Sequence, residues 1–268
     1  MKSSPPSKPF AKRSLGQNFL IDERIIGRIV DELHLMRDEL VIEIGPGRGA
    51  LTTELIDRGN RVAAVELDRN LVPLLTRKFA GRSEFSVIEG DALEVDFEML
   101  IGPTYGRPVK LIANLPYNIS TAILQRLIGF RAQFSEMVLM LQLEVVERIT
   151  AKPGDSERGF LTVLLEAYFE SEKLFDVPRT AFEPVPKVTS AVVRLARRPT
   201  ELVTDEARFR ELVSAAFRQK RKTLLNNFKA DPRFPDPAEM LAKAGIDPRA
   251  RAESLSIEDW RRLLGAIA

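Results

Sequence analysis

The sequence has no cysteine and a single histidine, His34, in 268 residues. The lack of cysteine excludes disulfide bonds, thiolate metal sites and a cysteine nucleophile. One imidazole argues against Ser-His catalysis and against a two-histidine metal site, since both need imidazoles positioned by other partners. We therefore expect no metal, a structural His34, and a chemistry that depends on carboxylates, amides, hydroxyls or a cofactor.

Long apolar runs are also missing. No stretch approaches the about 20 consecutive apolar residues that span a membrane, and the N-terminus, with its Lys and Pro residues, lacks the apolar run of a secretory signal. Apolar residues make up 44% of the chain and charged residues 29%, as in an ordinary soluble globular protein. The sequence predicts a cytoplasmic protein with no membrane segment.

The small net charge of +2 conceals a segregation of charge along the chain. Residues 1–30 carry a net +4, residues 31–186 a net −8, residues 187–229 a net +7 and residues 230–268 a net −1. Two basic segments thus flank an acidic middle. This asymmetry indicates a surface for a polyanion, although solvated basic faces would give the same counts.

The apolar pattern predicts an α/β domain followed by a small helical one. Short β-rich runs at 40–44, 61–66, 85–89, 109–113 and 137–141 alternate with helical stretches, which is typical of βαβ units and a parallel sheet. Runs at 167–175 and 190–196 predict a hairpin added to that sheet. Beyond residue 200 the spacing becomes helical, at 205–217, 221–229, 237–244 and 257–266. We expect a disordered tail at 1–11, an α/β domain at 12–200 and an all-α domain at 201–268.

Three successive strand ends carry residues suited to a nucleoside. Gly45, Gly47 and Gly49 follow the first strand, where a glycine loop lets the backbone approach a ligand closely. Glu66 ends the second strand at the spacing of a ribose-binding carboxylate, and Asp91 follows the third. Either acid alone is as compatible with a helix N-cap or with a surface carboxylate. Their joint placement favours a nucleoside cofactor, either a nicotinamide dinucleotide or S-adenosylmethionine.

The end of the fourth strand discriminates between these cofactors. Asn114-Leu115-Pro116-Tyr117 resembles the motif of methyltransferases that modify exocyclic amino groups of bases. The Asn114 side-chain oxygen and the Leu115 carbonyl can accept the two N–H groups of an adenine amine, and Pro116 fixes the direction of that carbonyl. Tyr117 offers a ring on which the base stacks. A dehydrogenase has no use for this turn, and pyrimidine C5 methylation would require a thiolate that the chain lacks.

Together, several motifs resemble one family closely, the small-subunit ribosomal RNA adenine N6,N6-dimethyltransferases, the KsgA family. The resemblance spans about residues 12–266 and includes Gly16-Gln17-Asn18-Phe19-Leu20, the Glu43–Gly49 loop, Glu66-Leu67-Asp68, Gly90-Asp91-Ala92, Asn114-Leu115-Pro116-Tyr117, Phe182-Glu183-Pro184-Val185-Pro186-Lys187-Val188-Thr189-Ser190, Arg221-Lys222-Thr223 and Arg251-Ala252-Glu253. It implies a Rossmann-like class I S-adenosylmethionine-dependent methyltransferase domain with a small all-α C-terminal domain.

The resemblance also implies roles for individual residues. The cofactor pocket is expected to be lined by Asn18, Leu20, Gly45, Gly47, Glu66, Asp91 and Asn114. Glu66 is expected to hold the ribose and Asp91 the adenine amine. Phe182 is expected to form a second aromatic face, so that the target base lies between Tyr117 and Phe182.

The substrate implied by the family is a pair of adjacent adenosines in a hairpin loop near the 3′ end of small-subunit rRNA, each dimethylated. Basic residues at 8–13 and Arg218, Lys220, Arg221 and Lys222 are expected to contact rRNA phosphates in the 30S subunit or its assembly intermediates. Arg221 has the alternative role of bracing the domain interface. We expect a monomer. Two alternatives remain: an Erm-type enzyme acting on large-subunit rRNA, and a non-catalytic ribosome-assembly factor on the same fold.

Overall fold

The computed structural model describes residues 11, 12, 15–102, 108–203 and 205–267. The chain divides into two compact units, one of residues 1–143 and 174–195 and the other of residues 144–173 and 196–268. The predicted tail at 1–11 lies outside the described residues except for Ala11. The second unit takes in residues 144–173, which the sequence pattern had placed in the α/β domain.

The first part of the chain alternates strands and helices. In order these are β1 (Phe19–Leu20), α1 (Glu23–Asp31), β2 (Leu40–Ile44), α2 (Ala50–Asp57), β3 (Arg61–Glu66), α3 (Val72–Lys78), β4 (Phe85–Glu89), α4 (Phe97–Ile101), β5 (Val109–Asn114), α5 (Ser120–Gly129) and β6 (Phe134–Gln142). The five strands predicted from 40 to 141 are all present, and β2, β3 and β4 have the predicted bounds. The last of the five, β6, is longer than predicted because Phe134 to Glu136 and Gln142 extend its apolar centre.

The rest of the chain begins with two helices that the sequence pattern did not separate. The elements are α6 (Leu143–Thr150), α7 (Phe160–Tyr168), β7 (Phe169–Val177), β8 (Phe182–Glu183), β9 (Ser190–Arg197), α8 (Glu206–Ala216), α9 (Leu224–Lys229), α10 (Pro237–Lys243) and α11 (Ile257–Ala266). The four predicted C-terminal helices are present. The strand expected from residue 167 starts at Phe169, since α7 continues to Tyr168.

The described strands form a seven-stranded sheet in the order β4-β3-β2-β5-β6-β9-β7 and a two-stranded sheet of β1 and β8. The pairs from β4 to β6 are parallel, with Ile44 opposite both Val65 and Ala113, and Glu66 opposite Glu89. This register brings the carboxyl ends of β2, β3, β4 and β5 to one edge. The predicted convergence of these strand ends is therefore confirmed.

Buried apolar residues and capped helix ends account for the elements of both units. All five residues of β2 are buried, as expected for a central parallel strand covered on both faces. Helix α1 begins after Asp22, whose carboxylate accepts from the backbone N–H groups of Arg24 and Ile25, and buries Ile29 and Val30 in the core of the first unit. In the second unit, a capping box of Ser256 and Asp259 starts α11, which buries Trp260.

The described part of the chain contains no helix that is both long and apolar enough to cross a membrane. His34 lies in the turn after α1, with its side chain mostly exposed and its Nδ1 atom 3.9 Å from a carboxylate oxygen of Glu136.

Candidate active site

A cleft of about 1020 Å³, including its open mouth, lies at the carboxyl edge of the parallel strands. Its walls come from residues 15–20, the loop after β2 and the ends of β3, β4 and β5. Open α/β sheets bind ligands in this position, outside the carboxyl ends of their strands. Of the residues predicted to hold a cofactor, the cleft is lined by Asn18, Leu20, Gly45, Gly47, Glu66, Asp91 and Asn114.

The loop after β2 is shaped by its glycines. Gly47 has φ +59°, and a Cβ atom there would lie 3.1 Å from the ring of Phe19. A side chain at this position would thus be strained in its backbone and would collide with β1. The bare backbone instead lets the Gly47 N–H donate to a carboxylate oxygen of Glu66 over 3.1 Å.

Glu66 fixes the shape of the cleft at the end of β3. It is 5% exposed. Its second carboxylate oxygen accepts from the backbone N–H of Asp68 over 2.7 Å. Burial raises the pKa of Glu66, while the hydrogen bonds from Asp68 and Gly47 act in the opposite direction. A carboxylate that accepts from two backbone N–H groups keeps further lone pairs for ligand hydroxyls.

Asp91 follows β4, where its side chain holds a turn and also lines the cleft. One of its carboxylate oxygens accepts from the backbone N–H of Leu93 over 2.8 Å, which fixes the turn after the strand. The same residue lines the cleft. An acid held by a local turn presents its remaining acceptor positions in a fixed direction, as recognition of an amino group requires.

The turn after β5 is anchored by both backbone and side chains. The Leu115 N–H donates to the Met140 carbonyl over 3.1 Å, which continues the pairing of β5 with β6. The Asn114 side-chain nitrogen donates to the Asn18 carbonyl over 3.2 Å. Because this bond uses the amide nitrogen, Oδ1 is the side-chain atom of Asn114 that accepts. The hydroxyls of Tyr117 and Ser190 lie 2.8 Å apart.

The segment before β1 is tied to the sheet through Asp68. The Gln17 side-chain nitrogen donates to one carboxylate oxygen of Asp68 over 3.0 Å, and Lys12 Nζ lies 2.6 Å from the other. Burial acts to raise the pKa of Asp68, but hydrogen bonds from Lys12, the Asn70 N–H and Gln17 hold it below its usual value. Asn18, next in sequence to Gln17, is thereby kept at the wall of the cleft.

Phe182, the residue expected to form a second aromatic face, is the first residue of β8. Its side chain is 2% exposed and packs in the hydrophobic core of the first unit with Leu20 and Val192, and it is not among the residues that line the cleft. The reason is the pairing of β8 with β1, in which Phe182 lies opposite Leu20. The expectation that Phe182 forms a second aromatic face stays a prediction, while Tyr117, which follows β5, lines the cleft.

The structure adds residues that sequence reasoning missed. Glu43, within β2, is 1% exposed and accepts from the Thr52 hydroxyl over 2.6 Å while also lining the cleft. Burial raises its pKa to about 7. Arg48 in the glycine loop lies over the Phe19 ring and pairs with Glu183 at 2.6 Å. An acid inside an otherwise apolar strand was the available signal for Glu43, whereas nothing in the sequence pointed to the pair of Arg48 with Glu183.

The predicted RNA-binding residues lie in the second unit. Arg218, Lys220, Arg221 and Lys222 are all exposed and occupy the segment between α8 and α9. Arg218 donates to the Ala230 carbonyl over 3.1 Å, and Lys220 donates to the Ser156 carbonyl. Within the described residues no cluster of acidic or histidine side chains is able to hold a metal ion.

The site can therefore bind a nucleoside through acceptors at three strand ends and present paired oxygen acceptors to an amine. Together with the parallel sheet and the glycine loop after β2, this arrangement defines a class I methyltransferase.

Comparison with known proteins identifies the family. The model of the ribosomal RNA adenine dimethylase family matches residues 10–268, and the chain belongs to that family. Ribosomal RNA small subunit methyltransferase A of Pelotomaculum thermopropionicum is 46% identical over 261 residues, covering 93% of this chain and 88% of that protein.

Two solved structures share the fold along nearly the whole chain. The 23S rRNA methyltransferase ErmE is 31% identical with a TM-score of 0.72, covering 93% of this chain and 99% of that one. A dimethyladenosine transferase from Plasmodium falciparum is 26% identical with a TM-score of 0.77, covering 91% and 95%. The chain is thus an rRNA adenine dimethylase by family, with the class I methyltransferase fold predicted from its sequence.

Proposed function

We propose that this protein uses S-adenosylmethionine to dimethylate the N6 amino groups of two adjacent adenosines in a hairpin loop near the 3′ end of 16S rRNA. It acts in the cytoplasm, as a monomer, on small subunits or their assembly intermediates, and so contributes to small-subunit biogenesis. The observation that carries the proposal is the 46% identity to a small-subunit methyltransferase, against 31% to ErmE. This difference favours small-subunit rRNA over the target of an Erm-type enzyme.

The residues of the cleft fit the proposed cofactor. When bound, S-adenosylmethionine supplies a methyl group activated by a sulfonium centre. Glu66 accepts hydrogen bonds from ribose hydroxyls and Asp91 from the adenine amino group. Gly45 and Gly47 leave room for the methionine part, because neither places a side chain in the loop. Asn18 and Leu20 close the cleft from the N-terminal side.

The turn after β5 supplies what methyl transfer to an amine needs. The adenine N6 lone pair is conjugated with the ring, so the amine must be held with both N–H groups engaged and its lone pair facing the donor. Asn114 Oδ1 and the Leu115 carbonyl accept those two N–H groups, and Pro116 fixes the direction of the carbonyl. The ring of Tyr117 stacks on the base, a contact worth about 1 to 3 kcal/mol. Phe182, in β8 opposite Leu20, is the second aromatic face of the proposed stack, so that the base lies between it and Tyr117.

Recognition of the RNA depends on its backbone and on its loop structure. Arg218, Lys220, Arg221 and Lys222 are exposed cations that neutralise phosphates, which makes binding dependent on salt. A base in a loop is already partly unstacked, so that moving it into the cleft costs less than it would in a duplex.

The test is methylation of small subunits that lack the modification, with labelled S-adenosylmethionine and mapping of the labelled nucleotides. We expect label at two adjacent adenosines of 16S rRNA. Label only in large-subunit RNA would assign the protein to the Erm type, and particle binding without incorporation would support a non-catalytic assembly factor.

A variant tests the site itself. Asn114→Ala is expected to nearly abolish transfer, because the amine loses one of its two acceptors. Asn70→Ala, which changes an exposed asparagine outside the cleft of the same unit, is the matched control and is expected to retain wild-type activity. Wild-type turnover in Asn114→Ala would overturn the amine-positioning mechanism.

A further inference from the structure

Ser190 lies at the end of the motif that begins with Phe182, at the first residue of β9, and is 1% exposed. Its hydroxyl oxygen lies 2.8 Å from the phenolic oxygen of Tyr117, and either group can donate. The two residues are 73 positions apart in the sequence, and both belong to the first unit. The motif whose Phe182 is expected to provide a second aromatic face thus also provides a buried hydroxyl to the Tyr117 ring.

Two separate contacts hold Tyr117, one at its backbone and one at its phenol. The backbone of Tyr117 is held because the Ser120 hydroxyl donates to the Tyr117 carbonyl over 3.2 Å. Its phenol is held by Ser190. A tyrosine side chain has two rotatable bonds, so constraints at both ends leave its ring plane little freedom.

The geometry is suited to positioning rather than to proton transfer. Ser190 does not line the cleft, whereas Tyr117 does. Burial raises the pKa of the Tyr117 phenol, and the hydrogen bond with Ser190 acts in the opposite direction. The phenol therefore stays protonated at neutral pH, and its proton is available for a neutral hydrogen bond between the two hydroxyls.

We propose that Ser190 is a positioning residue that orients the Tyr117 ring for stacking of the target base. The inference rests on the proposed function for its consequence, because the ring matters only if a base stacks on it. Misplacement of a reacting group by about 1 Å is enough to slow a reaction about 100-fold. Loss of one hydrogen bond allows the ring to deviate without removing its face, so we expect a smaller effect.

The experiment combines kinetics with a spectroscopic signature in Ser190→Ala, Tyr117→Phe, the double variant and Ser190→Thr. The chain has three tyrosines, so the ¹³Cζ signal of Tyr117 in tyrosine-labelled protein can be assigned with Tyr117→Phe. This signal should shift in Ser190→Ala and return towards its wild-type position in Ser190→Thr, which keeps a hydroxyl.

For methylation of unmodified small subunits, we expect Ser190→Ala and Tyr117→Phe each to lower kcat about three- to tenfold, the range that loss of one hydrogen bond predicts. The double variant should be no slower than the slower single variant, since both remove the same contact. The Kd for S-adenosylhomocysteine should remain within about twofold of wild type, because Ser190 does not line the cleft. Ser190→Thr should recover most of the lost kcat.

Ser135→Ala is the matched control. Its hydroxyl also makes one hydrogen bond within the first unit, to the Val109 carbonyl over 3.3 Å, but at the opposite end of β5 from the turn. We expect wild-type kcat and an unchanged Tyr117 signal in this variant.

Three outcomes would overturn the inference: wild-type kcat in Ser190→Ala although the Tyr117 signal has shifted, additive losses in the double variant, or a Kd for S-adenosylhomocysteine that rises as much as kcat falls. The last would show that Ser190 only supports the packing of the cleft. If the wild-type protein methylates no small-subunit RNA, the proposed function fails, whereas the contact is still tested by the Tyr117 signal.

Discussion

Glu43→Gln is predicted to remove a loss of folding stability that the wild-type protein shows as the pH rises, and that comes from the buried Glu43 carboxyl group. Glu43 lies in the middle of β2, where all five residues are buried. Burial raises its pKa, the hydrogen bond from Thr52 lowers it, and the neighbouring charge of Glu66 raises it again, with a net result of about 7 against an ordinary value of 4.5. The native state therefore retains a proton that the unfolded chain has lost at intermediate pH.

The sign and size of the effect follow from this difference. Below pH 4.5 both states hold the proton, and the favourable contribution of neutral Glu43 is fully present. As the pH rises towards 7, the free energy of unfolding falls by about 1.4 kcal/mol per pH unit, a total of about 3 kcal/mol. The glutamine introduced by Glu43→Gln cannot ionise, while its side-chain oxygen can still accept from Thr52. The stability of Glu43→Gln minus that of wild type should therefore rise by about 3 kcal/mol between pH 4.5 and pH 8.

Urea unfolding at a series of pH values measures this difference. Circular dichroism follows the whole chain, whereas fluorescence of the single Trp260 follows the second unit, so the two probes together locate the effect. Glu147→Gln, which changes an exposed carboxylate on α6, is the matched control and should track wild type within about 0.5 kcal/mol. A stability difference for Glu43→Gln that does not change with pH would refute the reasoning.

Three other substitutions test separate parts of the molecule. Gly47→Ala should raise the Kd for S-adenosylhomocysteine about tenfold by calorimetry, since its Cβ would lie 3.1 Å from Phe19 at a φ of +59°; unchanged affinity would contradict the close packing of β1 on the loop. Arg158→Met should lower the free energy of unfolding of the second unit by about 3 kcal/mol, because the 1% exposed guanidinium donates hydrogen bonds to Glu166 and to the Ala151 and Leu255 carbonyls. Trp260 fluorescence during unfolding measures this loss, and cofactor affinity should not change. Lys222→Gln should reduce the slope of log affinity for rRNA against log salt by about 0.7 to 0.9, and an unchanged slope would remove Lys222 from the RNA contacts.

Much of the sheet could be predicted because its strands carry a strong local signal. The runs that became β2, β3 and β5 are mostly apolar, and a parallel strand covered on both faces favours this composition. The strand ends could be predicted to converge, because a parallel sheet aligns all its carboxyl ends. The position of the cleft, at the carboxyl edge of the sheet, can therefore be predicted from the sequence.

The details that could not be predicted depend on pairings that no local pattern encodes. The motif predicts a role for Phe182 in the site, but it does not predict that β8 pairs with β1 or that Phe182 is buried opposite Leu20. The two helices between residues 143 and 168 were not separated, because the apolar run of α7 resembles a buried strand as closely as a buried helix. In both cases tertiary packing selects the structure, because the local sequence is compatible with more than one.

Hydrogen bonds between the walls of the cleft suit the site to a reaction that uses no thiol or imidazole chemistry. Methyl transfer to an amine needs no nucleophile from the protein, so its rate depends on how closely the two reactants are held in line. Three hydrogen bonds hold the walls of the cleft: Gly47 to Glu66, Asn114 to Asn18, and Tyr117 with Ser190. Each joins segments far apart in the chain, and each has at least one partner in the cleft. The absence of cysteine and the single histidine are therefore consistent with an enzyme whose contribution is alignment, in which a contact from outside the cleft, that of Ser190 with Tyr117, supports the residues that line it.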